Sequence, residues 1–311
     1  MPWTITVTRV IRLTFLALVA LPACGEPAER EGGTAGDTAT ETEPAAIVVD
    51  DEPQDSVIAE QRLAWVRQER LDTLPIGELT ARIGRTFVGA PYVPGTLEAE
   101  GPERLIVNLR TFDCVTFVES SLALARAAKL GGGYDTFKRE LMRIRYRDGK
   151  LNGYPSRLHY FSEWIANNQE KGIVRNITRE LGGIEDREPI RFMTSNADRY
   201  RQLADESVRR EIRETEERLS QVPRYYIPED RIVSIASRIR NGDVIAATSV
   251  LEGLDVVHTG LALWVDDELH LMHAPLVGKS VEISKVPLAE RIQAIETQDG
   301  IMVARPLEPR R

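Results

Sequence analysis

Residues 112–133 read FDCVTFVESSLALARAAKLGGG. Asp113 suits a helix N-cap, because its carboxylate can accept from the free N–H groups of a first turn. Cys114 then takes the first helical position. Val115, Val118, Leu122 and Ala125 recur at helical spacing as a buried stripe, and Gly131-Gly132-Gly133 ends the helix. A thiol placed there lies at the positive end of the helix dipole, where a thiolate pKa falls from about 8.5 into the range of about 3.5–7.5. A lone cysteine also serves as a small core hydrophobe. A nucleophile needs a base and a group that orients the base, so the histidines decide between the two.

The histidines are His159, His258, His270 and His273. Residues 256–265 alternate as a strand does, with Val257, Leu261, Leu263 and Val265 on one face and His258, Gly260, Ala262 and Trp264 on the other. A two-residue turn at Asp266-Asp267 pairs Val265 with Glu268 and sets Gly260 opposite His273. His258 and His273 then become diagonal neighbours on one face, about 7–8 Å apart at Cα, and Gly260 leaves space for the rings to meet. His270 goes to the other face. A turn longer by one residue reverses these assignments. His258 is thus the candidate general base and His273 its orienter. Two structural histidines at a hairpin end are the plain alternative. A zinc site is another, but no HExxH or Cys-rich pair is present and a third ligand would be needed.

Outward from these stretches, helical patterns cover 56–74, 79–87, 134–146, 156–167 and 196–219. Gly89-Ala90-Pro91-Tyr92-Val93-Pro94-Gly95 reads as a loop. Residues 233–240 lead into a strand at 243–248, and 256–265 with 268–272 form a hairpin. Helices followed by antiparallel strands predict an α+β fold.

The chain has 311 residues, 42% apolar and 28% charged, which fits an ordinary globular protein. Its two cysteines exclude a disulfide framework and a Cys-rich zinc site. The formal charge of −8 weighs against nucleic acid as a partner, but it is unevenly placed. Residues 25–55 carry ten acids and one base, so 56–311 is nearly neutral. That stretch is poor in apolar side chains and reads as a disordered acidic tether. Before it, Arg9 and Arg12 precede a short apolar run, Leu13 to Leu21, too short to span a membrane but the size of a signal-peptide core. Leu21-Pro22-Ala23-Cys24 resembles a bacterial lipobox, with Pro22 departing from the usual small residue. It implies cleavage before Cys24 and lipidation of its thiol. Gly25 in place of Asp suggests an outer-membrane anchor facing the periplasm. The expected division is therefore a lipoprotein signal peptide at 1–23, the tether at 24–55 and one folded domain at 56–311.

Five segments occur in order: Gly89 to Gly95, Asp113 to Val118, Gly242-Asp243-Val244-Ile245, His258-Thr259-Gly260-Leu261 and His273-Ala274. Together they resemble the NlpC-type cell-wall cysteine peptidases, which have a papain-like fold and a Cys-His-His triad. Val107-Asn108-Leu109-Arg110, Arg145 to Gly149 and Ser156 to Phe161 are similar to one branch, the N-acetylmuramoyl-L-alanine amidase-like family. The resemblance covers roughly 58–306. Cys114 and His258 stand 144 positions apart, far more than in minimal members, so helical insertions that shape a branch-specific cleft are expected. The resemblance implies that Cys114 attacks an amide carbonyl, that His258 holds the thiolate as an ion pair and protonates the leaving amine, and that His273 orients His258. It implies a cleft lined by Tyr92, Asp113, Ser156, Arg157, His159 and Tyr160, with Arg157 suited to a stem-peptide carboxylate. It implies peptidoglycan fragments as substrate, cleaved between muramic acid and L-alanine, with no metal or cofactor. Competing functions are a D-glutamyl-diaminopimelate endopeptidase, an acyltransferase on the same scaffold, and a wall-binding lipoprotein with a dead site.

Overall fold

The computed structural model describes residues 48–276 and 279–310. The leader, Cys24 and most of the expected tether lie outside the described residues, as do Val277, Gly278 and Arg311.

In chain order the helices are α1 (Pro53–Gln68), α2 (Ile76–Arg85), α3 (Cys114–Lys129), α4 (Tyr134–Arg145), α5 (Phe161–Glu170), α6 (Phe192–Ser195), α7 (Glu206–Ser220), α8 (Ile232–Ile235) and α9 (Leu288–Gln293). The strands are β1 (Val49–Asp50), β2 (Leu105–Ile106), β3 (Val174–Asn176), β4 (Ile184–Asp186), β5 (Arg224–Pro228), β6 (Val244–Ser249), β7 (Val256–Val265), β8 (Glu268–His273), β9 (Glu282–Ile283) and β10 (Gln298–Pro306). The main sheet runs β4-β5-β10-β6-β7-β8-β9, with β3 also pairing β10. Its pairings are antiparallel. The architecture is mixed α+β, with helices packed on an antiparallel sheet.

Two apolar clusters sandwich the sheet. On one face Leu63, Leu79, Ile83, Phe117, Val118 and Leu122 of α1 to α3 meet Val244, Ala246, Leu261 and Met272. On the other, Ile245, Ala262, Leu271 and Val303 meet Ile232, Leu288 and Ile292 of α8 and α9. A third, smaller cluster gathers Tyr154, Tyr160, Met193, Leu203, Ile212 and Leu219 beneath α7.

The β7–β8 hairpin has the predicted register, with Leu261 opposite Met272 and Val265 opposite Glu268. Asp266 and Asp267 both adopt positive φ, 47° and 64°. That is the backbone of a type I′ turn, whose twist matches the flanking strands. Elsewhere the boundaries move. Ala197–Arg199 and Arg201–Ala204 form short 3-10 turns, and α7 starts only after Asp205, whose carboxylate caps Ser207 and Val208 N–H. α5 begins at Phe161 rather than 156, because 154–156 make a 3-10 turn through Pro155.

Among the described residues, secondary structure also precedes residue 56. Val49 and Asp50 pair in parallel with Leu105 and Ile106. Asp50 bonds Arg104, Asp51 accepts from Tyr134, and Glu52 with Asp55 closes a reciprocal cap on α1. Among the described residues, no helix is long and apolar enough to cross a membrane.

Candidate active site

Asp113 caps α3 as its sequence position predicts. Its Oδ1 accepts from Val115 N–H at 3.1 Å and Thr116 N–H at 2.8 Å, and Asp113 N–H in turn donates to Thr116 Oγ1 at 2.9 Å. Phe117 N–H reaches Asp113 O. The N–H of Cys114 is thereby the donor of the first turn left without one of these partners. Cys114 is a free thiol with part of its surface accessible. Thr259 Oγ1 donates to Cys114 O at 2.9 Å, which ties the head of α3 to strand β7 beside His258.

His258 Nε2 and His273 Nδ1 share a hydrogen bond of 2.8 Å, with the rings nearly perpendicular at 88°. Gly260 makes this possible: a Cβ there would stand 3.0 Å from His273 Cβ and 2.7 Å from Met272 O. His270 leaves by the other face and bonds Ser284 O through Nδ1. By strand parity His258 and His273 share the face of Ala262 and Leu271, the α9 side, while Thr259 meets α3. Cys114 and His258 line one cavity of about 190 Å³, together with Asp113, Glu119, Arg145, Arg157, His159 and Thr259. The link between nucleophile helix and base in this structure runs through Thr259 rather than through a sulfur–imidazole hydrogen bond.

Electrostatics differ from the expectation of a resident thiolate. Burial, followed by the adjacent Asp113 carboxylate, pushes the Cys114 thiol up to about 11; hydrogen bonding from Thr259 only partly opposes this. Burial is the main reason for the difference, and the Asp113 carboxylate, whose cap also engages two N–H groups of the first turn, adds a negative charge beside the sulfur. Burial, with Arg291 adding to it, holds His258 down at about 3. His273 is held at about 2 by burial, then His258, then Arg291. The uncharged thiol and imidazole are the favoured forms.

The other expected cleft residues separate. Tyr92 sits in the loop beside Cys114, bridged to Phe112, and burial followed by the Cys114 and Asp113 charges raises its pKa. Arg157 lines the cavity, but its charge is already engaged. It bonds Glu98 at 2.5 Å and Leu97 O at 2.7 Å, approaches Glu103, and lies over the Tyr154 ring. His159 also lines the cavity. Its Nε2 meets Tyr154 O at 2.9 Å, and burial and Arg157 hold its pKa well below the usual range. Tyr92, Ser156 and Tyr160 are not among the lining residues. Ser156 Oγ closes a turn on Gly153 O, and Tyr160 donates to Glu216 at 2.6 Å. Glu119 and Arg145 carry no role in the sequence reading, yet their buried 2.7 Å ion pair forms part of the cavity wall, braced by Trp164 Nε1 and Ile106 O. Arg291 was equally silent, since an arginine on a short helix has no local signature. Among the described residues, no three His, Cys, Asp or Glu side chains converge in a way that could hold a metal ion.

A family model described as AmiA-like, N-acetylmuramoyl-L-alanine amidase-like, matches residues 82–301. A structure described as an N-acetylmuramoyl-L-alanine amidase from Bacteroides uniformis is 37% identical, covers 75% of this chain and 99% of its own, and superposes with a TM-score of 0.72. A Bacteroides fragilis structure described as a xylanase candidate is 35% identical, covering 72% and 99%, with a TM-score of 0.68. A Legionella pneumophila protein at 24% identity, covering 82% and 98% with a TM-score of 0.60, shares the fold. No curated protein matches the chain.

Proposed function

Since the chain belongs to the N-acetylmuramoyl-L-alanine amidase-like family, we propose that it is a cysteine hydrolase of peptidoglycan that cuts the amide between muramic acid and L-alanine, on a papain-like fold of the NlpC type. The observation that carries this reading is that His258, hydrogen-bonded to the buried His273, lines the same cavity as Cys114 at the head of α3.

With its Nε2 committed to His273, His258 presents Nδ1 as the base. Cys114 Sγ attacks the lactyl carbonyl carbon as its proton passes to His258. Because the resting pair is neutral, this transfer accompanies attack rather than preceding it, and Cys114 acts without a standing ion pair. The oxyanion faces the Cys114 N–H, a fixed donor of a kind worth about 2.7–4 kcal/mol in the transition state. His258 returns the proton to the amine of the departing stem peptide. Water then hydrolyses the thioester with His258 again as base. In this reading Tyr92, a loop residue whose ring feels the Cys114 charge, contacts substrate at the cavity edge, whereas Arg157 shapes the wall through Glu98 and Glu103 rather than meeting a carboxylate. Glycoside hydrolysis is less well served, because it needs two carboxyl groups flanking the scissile bond. The cavity carboxylates Asp113, Glu119 and Glu98 are committed to the helix cap, to Arg145 and to Arg157.

Digestion of muropeptides followed by mass spectrometry tests the reading. Free muramyl sugar with an intact stem peptide is expected. Release of L-Ala-D-Glu would replace it with the endopeptidase reading, and no product at all with wall binding retained would sink both. Cys114→Ala should abolish turnover and leave the fold intact. EDTA should leave the rate unchanged. The same reading has Cys24 acylated and the enzyme anchored in the outer membrane facing the periplasm. Labelling with a lipid precursor checks this, and an unlabelled mature protein would contradict it.

A further inference from the structure

His273 has one nitrogen bonded to His258, while the other, Nε2, is buried without a hydrogen-bond partner. A buried N–H with no acceptor is costly, and a base-orienting residue is where such a cost would point to function. Glu282 Oε1 stands 3.9 Å from this atom. Glu282 is also the direct cross-strand partner of His273 in the β8–β9 pairing, so the two side chains leave the same face. Its side chain is about 36% exposed and free to adjust.

The proton positions follow from the chemistry. For His258 to accept the thiol proton at Nδ1, its Nε2 must carry hydrogen and donate to His273 Nδ1. His273 must then hold its own hydrogen on Nε2, facing Glu282. We propose that Glu282 is a positioning residue for this site. By closing about 1 Å to hydrogen-bonding distance of His273 Nε2–H, it fixes the tautomer of both imidazoles and stabilises the imidazolium that forms on His258. This rests on the reading of Cys114 and His258 as nucleophile and base. The charged and titratable groups around the pair are Cys114 and Asp113 from α3, Glu282 from β9 and Arg291 from α9. The Arg291 charge disfavours both imidazolium forms, and Glu282 is the carboxylate that acts on Arg291. Removing Glu282 would leave that cation unopposed.

The test is the pH profile of Cys114 alkylation by iodoacetamide in the full chain, read beside kcat and KM on muropeptides. Glu282→Gln should slow alkylation near neutral pH by roughly tenfold, equivalent to a shift of about one pH unit. It should also lower kcat with KM held, and Glu282→Asp should recover part of both. A Glu282→Gln protein with the parental alkylation profile and kcat would overturn the proposal, whatever its thermal stability. If that variant does not fold, Glu282→Thr, uncharged and suited to a strand, decides by the same readouts. Alkylation needs no substrate. A parent inert towards muropeptides would therefore sink the amide reading alone, and the alkylation profiles would still decide for or against Glu282.

Discussion

Thr259 Oγ1 and the carbonyl oxygen of Cys114 are 2.9 Å apart, so the residue next to the proposed base holds the first turn of the nucleophile's helix. Thr259→Val keeps the shape and removes this bond. The stability cost should be about 1 kcal/mol, the ordinary net worth of one hydrogen bond. The cost to turnover should be larger, on the order of 10- to 100-fold, because small displacements of reacting groups are amplified in rate. Thr259→Ser should retain most activity. Equal kcat in the Val variant and the parent would show that the tether does not set the geometry.

Gly260→Ala tests the space that lets the imidazoles meet. Its Cβ would press on Met272 O at 2.7 Å and on His273 Cβ at 3.0 Å. The first is backbone in the central hairpin and cannot retreat cheaply. Destabilisation of about 1–3 kcal/mol is expected from overpacking, with turnover falling further as His273 shifts. Urea unfolding and a muropeptide assay read the two effects separately. A variant with parental stability and rate would contradict the close approach.

What was legible in the chain followed from local chemistry. The Asp113 cap and the Asp266-Asp267 turn each involve neighbours in sequence, and together they put Cys114, His258 and His273 on their elements. The central strand β10 was not legible. Ile301 to Ala304 are buried on both faces, so they show no alternation. Arg157 could be read as a free guanidinium because its partners Glu98 and Glu103 lie more than fifty residues away in sequence. The thiol was expected to be acidic on helix position alone, but its burial, which local sequence does not show, raises its pKa, and the Asp113 that makes the helix legible adds to the rise. Asp55 was assigned to the tether by composition, and only the tertiary structure shows its use.

That use gives a third prediction. Asp55 is fully buried and accepts from Leu109 N–H at 2.8 Å and Arg110 Nε at 3.2 Å. It thereby fixes the Val107-Asn108-Leu109-Arg110 segment that leads into Cys114. Asp55→Ala strands a buried N–H and weakens the hold on Arg110, at an expected cost of about 2–4 kcal/mol. A chain beginning at Ser56 should lose at least as much. Urea midpoints check both, and a chain starting at Ser56 that matched the full protein would return residues 48–55 to the status of a tether.

The histidine pair predicts how stability responds to acid. An unfolded histidine titrates near 6.5, whereas burial holds His258 at about 3 and His273 at about 2 in the folded protein. Below 6.5 the unfolded chain therefore binds protons that the native site refuses. Stability should be insensitive to these groups above about pH 7 and should fall as pH drops through the window from 6.5 towards 3. The slope is bounded at about 1.4 kcal/mol per pH unit for each imidazole. Carboxylates lose their ion pairs in the lower part of the same window, so the contribution must be isolated by difference. The double replacement of His258 and His273 by Gln removes both titrations and should flatten the decline between pH 6.5 and 4.5, where most exposed carboxylates remain charged. Urea midpoints measured every half unit supply the comparison. If the double variant loses stability as steeply as the parent over that interval, the imidazoles are not held neutral by burial. A preformed thiolate–imidazolium pair would then become the better description of the resting site.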